Sequence, residues 1–87
     1  MSKVLLSSYL QEVVTKTQQV VEILAQADFD EIKLSKDAYA TLEAYRKQLV
    51  EIRKSLSAFE GQRIVNVDDK DIDFLGRVSA LLQAVKA

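Results

Sequence analysis

Apolar residues recur at alternating intervals of four and three along most of this chain, and no proline interrupts them. The first series is Leu6, Leu10, Val13, Thr17, Val20, Leu24 and Ala27, and the second is Ala38, Leu42, Tyr45, Leu49, Ile52, Leu56 and Phe59. A third, shorter one comprises Phe74, Val78, Leu81 and Val85. A helix turns once every 3.6 residues, so each series emerges as one stripe along its side. On a strand, where side chains alternate, the same residues would be scattered over both faces. The spacing therefore predicts helices over about 2–27, 36–60 and 69–86.

The stripes are wide. Val14 and Val21 lie beside the first on one side, Tyr9 and Ile23 on the other, and Leu75 and Leu82 flank the third. That width suits helices that each touch two neighbours. Local signals agree with the boundaries. Ser35 is placed to cap the second helix, with Leu34 and Tyr39 at staple positions, and Gly61 offers a left-handed stop at its end. Asp68 is the cap of the third helix, Asp71 adds an acid to its first turn, and Val67 and Ile72 stand at staple positions. Gly76 has no capping role and weakens the helix it sits in by about 1 kcal/mol relative to alanine.

The connections, 28–35 and 61–67, are short enough to make consecutive helices antiparallel. The expectation is an all-α, up-down-up antiparallel three-helix bundle in one domain, 1–87. The competing arrangement is a helical hairpin that dimerises through its coiled-coil-like seams. Two short segments look extended: Ile32-Lys33-Leu34 and Ile64-Val65-Asn66-Val67. They sit at opposite ends of the second helix, so any strand pairing between them is expected only between chains.

Composition narrows the chemistry. The 87 residues include no histidine, cysteine or tryptophan. The usual ligands of structural zinc, iron–sulfur clusters and haem are missing, as are the imidazole-based nucleophile systems. A chain this short rarely encloses a sheltered pocket that would retune a carboxylate or lysine. The expectation is a protein without enzymatic activity, cofactor, metal or small-molecule substrate. The formal charge of −1 suggests neither nucleic acid nor an anionic membrane as partner. Ser7, Ser8, Gln11 and Glu12 interrupt any leader-like apolar run, and no stretch has the apolar length of a membrane span, so a cytoplasmic location is expected.

Several clusters invite sharper readings. Asp69, Asp71 and Asp73 alternate like the first ligands of a calcium loop, but Phe74 stands where glycine makes the turn and Ala80 where a closing glutamate belongs. A helix cap with an acidic first turn accounts for the cluster. Phe29 lies among Asp28, Asp30 and Glu31, and a loop aromatic in this position is expected to fold back over the end of the bundle. Arg46, Lys47, Arg53 and Lys54 line one side of the second helix, diluted by Asp37, Glu43, Glu51 and Glu60 on the same helix.

The most suggestive feature is a second stripe on that helix: Tyr39, Glu43, Arg46, Val50, Arg53 and Ser57, running beside the core seam. Tyrosine and arginine are enriched among residues that carry binding energy, and Val50 is an apolar residue on what would otherwise be a solvated face. Tyr39, Arg46, Val50 and Arg53 are the candidate partner-binding residues. The functional expectation is a protein–protein interaction module: an adaptor, assembly chaperone, inhibitor or oligomeric structural component. Its partner is another protein, a second copy included. The alternative is a small regulatory protein acting on nucleic acid or a nucleic-acid enzyme. No motif in the chain is specific enough to carry a family resemblance.

Overall fold

The structure, a computed structural model, describes the backbone of residues 1–86 and the side chains of residues 1–85. Strand β1 (Ser2–Leu5) runs directly into helix α1 (Leu6–Asp28), followed by α2 (Lys36–Leu56) and a 3-10 turn, Ser57–Phe59. Strand β2 (Ile64–Val67) then leads into α3 (Asp69–Lys86). The molecule is elongated, 42 × 19 × 18 Å.

The three helices stand where the apolar series place them, and the seams face inward. Val13, Val20, Leu42, Leu49, Phe74 and Val78 are fully buried, with Ile23, Leu24, Ile52, Leu56, Leu75 and Leu82 completing the helical part of the core. Asp28 bonds Tyr39 at one end of the α1–α2 pair, while Leu6 and Leu10 meet Arg53 and Leu56 at the other, so these helices are antiparallel. Asp69 lies beside Ser2, and Val85 beside Ile23, so α3 runs parallel to α1. Tyr45 of α2 and Phe74 of α3 meet in a T-shaped pair, with centroids 5.1 Å apart and planes at 89°. That is a favoured aromatic geometry and ties the third helix to the second. Most of the seam residues are buried or half-buried within one chain, and dimerisation through them is not supported.

Two expectations need correction. Residues 2–5 are a strand, not the first turn of α1. Ile64–Val67 is also a strand, and it pairs antiparallel with β1 of the same chain: Ser2 faces Val67, Lys3 faces Asn66, Val4 faces Val65 and Leu5 faces Ile64. Pairing between chains is not required, because the partner segment is the N-terminus and not Ile32–Leu34, which forms no strand. The fold is thus three helices plus a two-stranded ribbon, and not a pure bundle. Lys3 falls where the α1 seam, continued backwards, would need an apolar residue. The local pattern is instead alternating: Val4 is half-buried and Val65 and Val67 are buried, while Lys3, Leu5, Ile64 and Asn66 are exposed.

The ribbon also explains how α1 begins without a capping side chain. Leu5 occupies the cap position and makes no side-chain bond to the helix. The Leu6 amide, which a helix start leaves unsatisfied, donates to the Arg63 carbonyl at 2.9 Å and extends the ladder by one rung. By contrast, Ser35 caps α2 by accepting from the Ala38 amide at 3.1 Å, and the Asp68 carboxylate accepts from the Lys70 amide at 2.9 Å.

α2 ends at Leu56, four residues short of its expected limit, and tightens into the 3-10 turn. Gly61 does adopt a left-handed conformation, φ +89°, but as the third residue of a turn closed by a bond from the Gln62 amide to the Phe59 carbonyl. With Glu60 at φ −54° and ψ 133°, this is a type II turn, which favours glycine at that place. The other left-handed residue is Asp30, φ +57°. It follows the C-cap Phe29 in a Schellman arrangement: Asp30 donates to Ala27 at 3.1 Å and Glu31 to Gln26 at 2.8 Å. Gly76, in contrast, lies on the exposed side of α3, where an added Cβ would meet nothing within 4 Å. Nothing in the structure explains a glycine there.

Two predictions follow from these backbone features. Asp30→Gly is expected to raise stability by roughly 0.5 kcal/mol by relieving the left-handed strain, and Gly76→Ala by ~1 kcal/mol. Both would be read from chemical denaturation, and a loss in either would contradict the geometry. The ribbon is fastened to α3 by Asp69, which accepts from the Ser2 hydroxyl at 2.7 Å and faces the Met1 ammonium at 3.3 Å. The Ser2 hydrogen bond, followed by the ammonium's hydrogen bond and charge, holds the Asp69 carboxyl below its ordinary pKa. Its contribution is therefore present at neutral pH and lost as pH falls through that lowered value. Asp69→Asn should weaken the Val4–Val65 cross-strand NMR contacts at neutral pH, whereas in the parent they weaken only on acidification below the usual aspartate range.

Candidate partner-binding surface

The four residues of the second stripe lie along one side of α2, and the structure places α1 alongside them. From Tyr39 to Arg53 the helix advances about 21 Å at ~1.5 Å per residue. Tyr39 and Arg46 line a shallow groove of about 350 Å³ with Val21, Leu24, Asp28 and Glu43. Arg53 lines a separate depression of about 280 Å³ with Leu6, Leu10, Leu56, Ser57 and Glu60. Val50 stands between the two, half-buried. The strip therefore has a hollow at each end and an apolar residue at its centre.

Its upper end is fixed by one strong bond. The Tyr39 hydroxyl donates to the Asp28 carboxylate at 2.7 Å and joins the ends of α1 and α2 across their connecting loop. That hydrogen bond is the main reason the Tyr39 pKa is raised; desolvation and the charges of Asp28 and Glu43 add to it, and Arg46 opposes it. Tyr39 is thus an anchoring residue of the groove wall with its hydroxyl already committed. Its half-buried ring is the part left for contact.

The arginines are different. Neither Arg46 nor Arg53 makes an ion pair among the described residues, whereas Lys16 pairs with Glu12 and Lys54 with Glu51. Arg46 is half-buried and Arg53 exposed, in keeping with aliphatic stems laid along the helix and charged ends in water. The basic residues of this face are interleaved in sequence with Glu43 and Glu51.

The α1 side of the strip was only partly legible. Val21 is 46% exposed. Together with half-buried Val14, one heptad earlier, it extends the apolar character of the strip onto α1. Both flank the core seam in sequence, and this flanking position is the signal that marks them. Leu6 and Leu10 belong to the seam itself, yet they are only half-buried, because they border the depression beside Arg53.

The other clusters resolve as follows. Asp68 and Asp69 are engaged in the cap and the ribbon clasp, and no group of three or more acidic side chains converges on a metal-sized point among the described residues. Burial, followed by the Asp68 charge, raises the Asp71 pKa. The buried Tyr9 hydroxyl has no hydrogen-bond partner among the described residues; burial, then the charges of Asp71 and Glu12, push its pKa up to about 12. Phe29 does not fold back over the bundle: it is 78% exposed. No helix among the described residues is long and apolar enough to cross a membrane.

No family model matches this chain, and neither a curated protein nor a solved structure matches it significantly.

The two raised tyrosines give a direct check on the groove wall. In an ultraviolet titration, Asp28→Ala should return Tyr39 toward the ordinary tyrosine value and leave Tyr9 near 12. An unchanged Tyr39 would show that the bond to Asp28 does not form.

Proposed function

We propose that this protein is a non-enzymatic interaction module that binds another protein along the α1–α2 strip, as an adaptor, assembly chaperone, inhibitor or structural component of an assembly. The observation that carries the reading is the pair of arginines, Arg46 and Arg53, left without carboxylate partners on either side of half-buried Val50 and beside exposed Val21. A surface of that composition, about four helical turns long, matches an amphipathic helix with acidic flanks laid into the shallow groove between two helices. Arginine ends paired with its carboxylates set orientation, and Val21, Val50 and the Tyr39 ring supply apolar contact. The lack of imidazole and thiol groups is consistent with a binding role.

The test is charge reversal. Arg46→Glu with Arg53→Glu should leave the helical circular-dichroism signal and thermal midpoint nearly unchanged while reducing partner recovered by affinity capture from source cells about tenfold or more. Undiminished recovery with the double variant would remove this strip as the binding surface.

A further inference from the structure

Phe29 is the feature that neither the core nor the strip absorbs. It is a full aromatic ring, 78% exposed, at the tip of the α1–α2 loop. Such a ring in water forgoes the burial that makes phenylalanine stabilising elsewhere. The backbone beneath it is not loose. The Phe29 amide donates to Ala25 at 3.0 Å, and the Schellman bonds of Asp30 and Glu31 lock the next two residues, at the cost of a non-glycine residue in the left-handed region. The ring is therefore carried outward on a fixed support. Asp28, Asp30 and Glu31 surround it with three carboxylates.

At the opposite end of the same helix pair lies a depression with the complementary character. Leu6, Leu10 and Leu56 form its apolar lining, and Arg53 and Glu60 also line it, with Lys54 next to Arg53 in sequence. Its volume of about 280 Å³ exceeds the roughly 150 Å³ of an apolar cavity that takes up a benzene ring. The two features lie about 35 Å apart along α1 at ~1.5 Å per residue, so a chain cannot fill its own depression.

We propose that Phe29 of one copy seats in the Leu6–Leu10–Leu56 depression of a second copy, with Asp30 and Glu31 facing Arg53. Two copies running antiparallel satisfy both contacts at once, and the association closes at the dimer. This contact uses only one end of the seams, Leu6, Leu10 and Leu56, where Leu6 and Leu10 stay half-buried, and not their length. It shares Arg53 with the partner strip, but its apolar contacts, Phe29 and Leu10, lie outside the stripe of Tyr39, Arg46, Val50 and Arg53, so Phe29→Ser tests it without altering that strip.

Sedimentation equilibrium of the purified full chain over a wide concentration range tests the proposal. The parent should show a monomer–dimer equilibrium. Phe29→Ser, at an exposed position, should weaken it at least about tenfold. Leu10→Arg should do the same from the other side of the contact. Because Leu10 is half-buried, Ser57→Phe, which fills the depression from an exposed position, serves as the second variant. The decisive arm is mixing: Phe29→Ser retains an open depression and Ser57→Phe retains a free ring, so an equimolar mixture should dimerise more strongly than either variant alone. A parent that stays monomeric at millimolar concentration, a Phe29→Ser chain that dimerises like the parent, or a mixture no stronger than its components would each overturn the proposal.

Discussion

Val13 and Val20 from α1, and Leu42 and Leu49 from α2, are wholly withdrawn from water, and the antiparallel contact they make organises the rest of the molecule. Each large aliphatic side chain in such a site contributes on the order of 2–5 kcal/mol relative to alanine. The contact fixes the register of the two long helices, leaves Phe74, Leu75 and Val78 of α3 one trough to fill, and brings Asp28 to Tyr39. It also determines what is left over. Residues one step off the seam, Val21 on one helix and Arg46 on the other, come together in one groove only because the seams beneath them meet.

The helices were legible because their signal is long. Three or more repeats of a four-three spacing outweigh any local ambiguity, and Ser35 and Asp68 mark starts that the structure places where their side chains can cap. The ribbon was not legible for the opposite reason. Ser2–Leu5 is four residues long and adjoins a helical series, so periodicity absorbs it into α1. What distinguishes it is a long-range event, the pairing of Val4 with Val65 across most of the chain, and a single sequence carries no direct record of such a contact. Only Lys3, a charged residue at a seam position, gives it away. The end of α2 was misplaced on similar grounds: Phe59 continues the spacing, but the backbone has already tightened into a 3-10 turn ahead of Gly61.

The candidate surface was half legible. Tyr39, Arg46, Val50 and Arg53 form a line on α2 by spacing alone, yet the line is not one uniform face. Tyr39 is committed to Asp28, Arg53 belongs to a different hollow from Arg46, and the apolar contribution of Val21 comes from another helix. Phe29 shows how a composition rule misleads. Aromatic residues are usually buried, and the acidic loop gives no cue to the outward path that the Schellman turn imposes.

The proposed function rests on what the core leaves exposed. The most direct measurement is site-specific photo-cross-linking of the full chain in its source cells, with a photoreactive amino acid introduced singly at Val21, Val50 or Gln83. Val21 and Val50 belong to the strip, while Gln83 is exposed on α3. Adducts to the same partner from positions 21 and 50, with none from position 83, are the expected result. Adducts from position 83 alone, or equal yields from all three, would contradict the assignment of binding to the α1–α2 strip.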